Sequence, residues 1–285
     1  VCRGYAEGYA NGPAAYLAGD EVNYAGNTYW TDRHFLERAM QNYNGSVYLI
    51  HGMQDWNVDP HMAFPVYKQL QSAGFEVKGL FGQWGHHYPD RPSDQNGMSS
   101  GRGAEAYPYS VRYDWAQDLL EWFTYYLQEK GPKPSLYLEI QNNHGEWRVE
   151  ERYPATDSKT VEFDLGGNLT LIDEGGFGTT VYPGMEFVDD WIVFETGTFD
   201  YDFRFGGLPQ LHLQVTPQGS GGSLYAYMED CSADNECIHV GHAIMDLRYH
   251  EGGTDYQTII PGVEITAKME FFAMDILIPE GHYIR

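Results

Sequence analysis

Hydrophobic and polar positions follow two different patterns along this chain. Residues 1–44 are rich in Gly, Ala, Tyr and Asn, and their periodicity is weak until Trp30, where Trp30–Met40 reads as a short helix. Ser46-Val-Tyr-Leu-Ile-His51 is a short continuous apolar run, as expected of a strand buried on both faces. Asp59-Pro60 then supplies an N-cap and a first-turn proline for a helix running to about Ala73, with Gly74 as its stop. Phe75–Phe81 is a second strand, and a polar, Gly-rich loop covers roughly 88–109. Ser110 opens a long helix with Trp115, Leu119, Trp122 and Tyr126 on one face, read as core packing, and Gly131-Pro132 ends it. From about residue 134 the helical period disappears. Short alternating runs follow, separated by Gly, Pro and Asp turns: Leu136–Ile140, Val161–Leu165, Trp191–Glu195, Leu211–Val215, Leu224–Tyr227, Ile238–Leu247 and Val263–Phe272.

The strand–helix–strand–helix order predicts parallel strands joined by crossovers, and the second pattern predicts an all-β sandwich. The expected organisation is a connector over 1–44, an α/β portion over 45–133 and a β-sandwich over 134–285. A chain of 285 residues suits two cores. Val1 follows no basic or apolar leader, and the last strand-like run, Met274–Arg285, reaches the chain end. Both ends therefore read as cuts within a longer protein, the β-sandwich included.

Composition narrows the partners. No run approaches the roughly 18 apolar residues that a membrane-crossing helix needs, so no membrane partner is expected. Forty-one acidic against 17 basic residues give a net charge of −24, which repels phosphate backbones, so nucleic acid is not expected either. The acids are dispersed, as on a solvated surface. Cys231 and Cys237 flank the polar stretch Ser232–Glu236 between two strand-like runs. They read either as a disulfide closing a hairpin, which would lean toward an extracellular setting, or as two free thiols.

The chemistry sits at two strand ends, where ligands bind in open α/β sheets. His51-Gly-Met-Gln-Asp-Trp-Asn-Val58 follows the first strand and Gly82-Gln-Trp-Gly-His-His87 the second. Asp55 and His86 are separated by one helix and one strand, which brings them from adjacent strand ends toward a common point. An imidazole activates a serine nucleophile when a carboxylate on its other nitrogen fixes the tautomer, and α/β-hydrolases place the three in the order Ser, Asp, His. Taken singly, Asp55 could be a turn former and His86 a loop histidine. His87 competes with His86, and neighbouring residues of an extended chain point to opposite sides. A metal site from His51, Asp55, His86 and His87 matches no standard spacing, so neither metal nor cofactor is expected.

His51-Gly-x-x-Asp55-x-Asn57-Val58, preceded by Tyr29-Trp30-Thr-Asp-Arg33-His-Phe35, resembles the acid segment of the Xaa-Pro dipeptidyl-peptidase family, serine α/β-hydrolases related to cocaine esterase and α-amino-acid ester hydrolases. Gly82-x-Trp84-x-His86 resembles its histidine segment and selects His86 over His87. Glu146-Trp-Arg-Val-Glu150, His239–Arg248 and Ile278–Arg285 resemble its C-terminal jelly roll. The resemblance implies the C-terminal half of an α/β-hydrolase followed by a jelly-roll sandwich. It also implies an acyl-enzyme mechanism with backbone and tyrosine oxyanion donors, a peptide or small acyl substrate and, in the peptidase branch, release of dipeptides ending in proline. The family's serine elbow lies upstream of the acid. Gly97-Met-Ser99-Ser-Gly101 matches the string but follows the histidine without a preceding strand, and reads as coincidence. The nucleophile is therefore expected outside this chain, on a missing N-terminal segment or a separate chain. An esterase of the same fold, a non-catalytic binding module and a homo-oligomer remain open.

Overall fold

The computed structural model describes residues 35–55, 58, 60–90, 111–163, 185–188, 191–252 and 256–285. The chain divides into two compact units, 1–45 and 46–285. In the first, the helix expected from Trp30 has α1 (Leu36–Asn42) as its described part. In the second, β1 (Val47–Gly52) and β2 (Val77–Gly82) pair in parallel with Val47 opposite Val77. Helix α2 (Pro60–Ser72) links them and starts on the proline, whose missing N–H costs nothing in a first turn. The expected N-cap, Asp59, lies outside the described residues.

Two different helix faces cover this sheet. On one side, α2 turns Phe64 and Tyr67 onto Phe81 of β2, with ring centroids 4.3 and 6.1 Å apart. On the other side stands α3 (Trp115–Gln128). Tyr48 and Lys78 are register partners on β1 and β2 and so project to the same face. Lys78 is buried, and its Nζ donates to both oxygens of Asp118 on α3 at 2.6 and 2.7 Å. The Tyr48 hydroxyl donates to Asp118 as well, and Trp122 packs on the Tyr48 ring at 5.3 Å. Burial, then the Asp118 carboxylate, push the Tyr48 phenol well above its ordinary range. Of the predicted apolar face, Trp122 is buried and Trp115, Leu119 and Tyr126 are half-buried.

The long helix begins five residues later than Ser110. Ser110 lies outside the described residues, and 111–114 form an irregular lead-in. Arg112 reaches Asp114 at 2.5 Å and Glu139 at 3.1 Å, and its guanidinium lies over Trp147 at 4.8 Å. Glu139 and Trp147, both distant in the chain, fix the lead-in and are not visible in local propensity.

A second departure concerns the strand expected to open the β-rich part. As β3 (Leu138–Gln141) it instead pairs in parallel with β2, and β4 (Trp147–Glu150) closes the sheet antiparallel to β3, giving the order β1-β2-β3-β4. The expected change of pattern at 133/134 is thus not the place where the sheet ends. A four-residue strand such as Leu-Glu-Ile-Gln carries no mark of its pairing partner.

Beyond it, strand pairing among the described residues is antiparallel. β5 (Met185–Val188) pairs with β6 (Trp191–Phe194), β7 (Phe203–Gly207) with β12 (Met274–Ile278), and β8 (Gln210–Val215) with β11 (Ile265–Glu270). β9 (Ser223–Cys231) pairs with both β10 (Cys237–Asp246) and β13 (Tyr283–Ile284). The core between them includes Val215, Met245, Met269, Phe271, Ile276 and Ile278. Of the expected strand Val161–Leu165, residues 161–163 are described and form no strand, while β4, β5 and β7 were not anticipated. Cys231 and Cys237 are opposite each other in register and joined by a disulfide, which decides between the two readings of these cysteines.

The four-stranded sheet and the β-rich part are keyed together by buried polar groups. Asp275 of β12 is fully buried and accepts from both terminal nitrogens of Arg148 on β4, one at 2.7 Å, and from Arg204 at 3.2 Å. Glu150 accepts from Arg148 at 2.6 Å. Asn143 takes the place of a strand neighbour, accepting from the Leu277 amide at 2.7 Å and donating to its carbonyl at 3.1 Å.

Burial pushes the Asp275 carboxyl from its ordinary 3.8 up to about 6, against the downward pull of Arg148. Between those values the folded chain keeps a proton that the unfolded chain has released, so stability falls as pH rises through this window and levels off above it. Relative to Asp275→Asn, the unfolding free energy of the full protein should decrease by ~3 kcal/mol between about pH 4 and pH 7. Denaturant titrations at the two pH values measure this, and a difference that does not vary with pH would contradict it.

Candidate active site

Because β1 and β2 run parallel in register, Gly52 lies opposite Gly82 and both following loops leave the sheet at one edge. Backbone bonds then zip the loops together: the Met53 amide donates to the Gly82 carbonyl at 2.7 Å and the Gln54 amide to the Trp84 carbonyl at 3.1 Å. The two glycines are required sterically. A Cβ on Gly52 would sit 2.2 Å from the Trp84 carbonyl oxygen, and one on Gly82 would sit 1.9 Å from the Trp84 indole. Trp84 itself is buried, with Trp147 at 6.1 Å. The glycine–tryptophan spacing of the sequence is therefore a packing requirement of this loop pair.

The structure brings Asp55 and His86 together. Asp55 Oδ1 accepts from the Val58 amide at 2.9 Å, which closes its own loop, and Oδ2 meets His86 Nδ1 at 2.9 Å. The Asp55 side chain is only 8% exposed while that of His86 is 54% exposed. The carboxylate is thus held inside, and Nε2 of the imidazole is the nitrogen that Asp55 leaves unengaged. With Nδ1–H donated to Asp55, Nε2 carries the lone pair, the tautomer a general base needs.

The neighbouring histidines do other work. His87 Nε2 accepts from the Gly85 amide at 3.1 Å and Nδ1 donates to the Tyr88 carbonyl at 2.8 Å, so His87 staples the loop that carries His86. His51 Nε2 bonds the Val58 carbonyl at 3.0 Å and braces the Asp55 loop. Ring nitrogens committed to backbone groups do not suit the four residues to a shared metal. Among the described residues, the grouping of possible ligands close enough for one ion is Glu229, Cys231 and Cys237, whose two thiols are joined as a disulfide. Asn57 and Ser99 lie outside the described residues.

Two residues of this site escaped the sequence reading, Gln54 and Gln83. Both are buried and joined by a 2.8 Å hydrogen bond between their side-chain amides, immediately before Asp55 and immediately after β2. A glutamine in a polar loop looks like a solvated one. The only available signal was its place against two strand ends.

Comparison with known proteins gives the lineage. Residues 15–88 match the family model of the X-Pro dipeptidyl-peptidase S15 family, and residues 129–285 match that of the X-Pro dipeptidyl-peptidase C-terminal non-catalytic domain. A Bacillus cereus protein provisionally named Xaa-Pro dipeptidyl-peptidase is 22% identical over 279 residues, covering 90% of this chain and 44% of its own length. One from Rhodopirellula baltica, named likewise, is 21% identical over 225 residues, covering 71% and 32%. This chain therefore spans less than half the length of these curated relatives. Among solved structures, an aminopeptidase from a marine-sediment Thaumarchaeota archaeon superposes with a TM-score of 0.63 at 14% identity, covering 90% of this chain and 49% of that one. A CocE/NonD family hydrolase from Staphylococcus aureus gives 0.56 at 13% identity, covering 86% and 46%. A selenomethionine-labelled alpha-amino acid ester hydrolase gives 0.52 at 16% identity, covering 78% and 44%. These likenesses show a hydrolase fold. With the family model that matches more than half its length, the chain belongs to the X-Pro dipeptidyl-peptidase family.

Proposed function

We propose that this chain supplies the base and its orienting acid to a serine peptidase that releases N-terminal Xaa-Pro dipeptides. The observation that carries this reading is the 2.9 Å contact between buried Asp55 and half-exposed His86 at the edge where two parallel strands end. In the proposed mechanism, His86 Nε2 takes the hydroxyl proton of a serine located outside residues 1–285. The serine oxygen attacks the carbonyl carbon of the prolyl residue, and His86 then returns the proton to the leaving amine as the C–N bond breaks. Water, deprotonated by His86, hydrolyses the acyl-enzyme. Asp55 keeps Nδ1 protonated throughout and stabilises the imidazolium. The β-rich part is proposed as the jelly roll of the family.

The solved CocE/NonD and ester-hydrolase neighbours support a second reading, in which the acyl-enzyme forms from a small ester. Rates of the full-length protein on Gly-Pro or Ala-Pro amides against simple esters separate the two. The peptidase reading expects proline amides to win by kcat/KM.

Four substitutions in the full-length protein test the roles. His86→Ala should lower kcat by about 10⁵-fold and Asp55→Asn by on the order of 10⁴-fold, both read in steady-state kinetics. His87→Ala, which loses only a loop staple, should retain activity within about ten-fold, and the reverse ranking of the two histidines would refute the assignment. Gly52→Ala should cost activity about 100-fold or more by displacing the Trp84–Gly85 backbone and with it His86, as seen in kcat rather than in substrate affinity.

A further inference from the structure

Among the described residues His86 makes one side-chain hydrogen bond, to Asp55, and more than half of its side chain is exposed. Its position is thus set by the backbone that carries it, the segment 83–88. At the start of that segment, Gln83 is fully buried. Its side chain makes four polar contacts. Nε2 donates to the Gln141 carbonyl at 2.9 Å and to the Asp275 carbonyl at 3.3 Å, and it lies 3.6 Å from Met53 Sδ. Oε1 accepts from Gln54 Nε2 at 2.8 Å. The Gln83 backbone amide donates in turn to Gln141 Oε1 at 3.0 Å.

This arrangement admits one orientation. Exchanging O and N in the Gln83 amide would set its oxygen against two carbonyl oxygens, so the two donors and the acceptor hold the group fixed. Gln54 precedes Asp55 by one residue and Gln83 precedes His86 by three. Their mutual bond is a lateral tie between the acid loop and the base loop, on the buried side of both. The other two partners anchor that tie outside the loops. Gln141 ends β3, and Asp275 belongs to β12 of the β-rich part. The same two bodies meet around a small cavity lined by Met53, Gln54 and Gln83 on one side and His242, Phe272 and Met274 on the other.

We infer that the β-rich region, matched by a family model described as non-catalytic, positions the Asp55–His86 pair, and that Gln83 is the positioning residue through which it acts. Gln83 cannot touch substrate, since it has no exposed surface. It acts by denying the two loops independent motion, so that the imidazole stays aligned with both the carboxylate and the reacting hydroxyl. The inference rests on the proposed serine-hydrolase reading for its kinetic consequence and on the structure alone for the positioning itself.

The test uses the full-length protein with Gln83→Met, which keeps the volume and removes the amide, Gln54→Met, which cuts only the tie between the loops, and Asn143→Ala. The last removes a contact between the same two bodies, at Leu277, without touching the glutamines. Three quantities are measured: the rate of active-site labelling by a fluorophosphonate, kcat and KM on an Ala-Pro amide, and the low-field proton signal of the His86–Asp55 hydrogen bond. Gln83→Met should slow labelling and kcat by about 10- to 100-fold, leave KM within about two-fold, and weaken or shift the low-field signal. Gln54→Met should move all of them in the same direction, and Asn143→Ala should leave them at wild-type values. The inference is overturned if Gln83→Met labels at the wild-type rate, or if its activity falls only with the folded fraction while the signal persists. It is equally overturned if Asn143→Ala matches its effect. Should Gln83→Met fail to fold, Gln54→Met decides by the same three readings. If the wild-type protein is not labelled at all, the serine-hydrolase reading fails instead, and the proton signal in wild type and variants still tests the positioning.

Discussion

Everything at the candidate site depends on the parallel pairing of β1 with β2 in the register that sets Gly52 against Gly82. Parallel strands end at the same edge, so the two loops start side by side without any long-range steering. The absence of side chains at those two positions lets the Trp84 indole and the 84–85 backbone close over the strand ends. From there the backbone bonds of Met53 and Gln54, the Asp55–Val58 turn and the His87 staple each remove one freedom from the loops. What emerges is a carboxylate inside and an imidazole facing out.

That register is itself held by burial from both sides. β2 is covered along its whole length, with Phe81 under α2 and Lys78 under α3. A lysine in such a place is costly unless paired, and the bidentate contact with Asp118 is what makes the charge tolerable there. The same device recurs where the sheet meets the β-rich part, with Asp275 between Arg148 and Arg204. In both places one carboxylate fixes the relation of two elements that apolar packing alone would leave free to slide.

Much of the site was legible in the sequence because its determinants are local. An apolar run followed by Gly, and a Gly-x-Trp-x-His string after a second run, each state where a strand stops and a loop begins. The separation of Asp55 and His86 counts one helix and one strand between them. The choice between His86 and His87 came from resemblance, and in the structure the two rings have different partners. His87 has both nitrogens committed to backbone groups, whereas His86 keeps Nε2 clear of Asp55.

The sequence by itself determined the alternation of strands and helices through α3, the β-rich character of the rest and the two loops that carry Asp55 and His86. These follow from side-chain period and turn residues, which act over a few positions. Only tertiary structure decided that Leu138–Gln141 joins the parallel sheet, that α3 begins at Trp115 behind Arg112, that Cys231 bonds Cys237, and that Gln54 and Gln83 tie the loops to β3 and β12. Apart from the disulfide, which spans six positions, each of these rests on partners distant in the chain, from Gln83 and Asp275 to Arg112 and Glu139. A hydrogen-bonding residue shows no sign in its own neighbourhood of the distant group that will satisfy it.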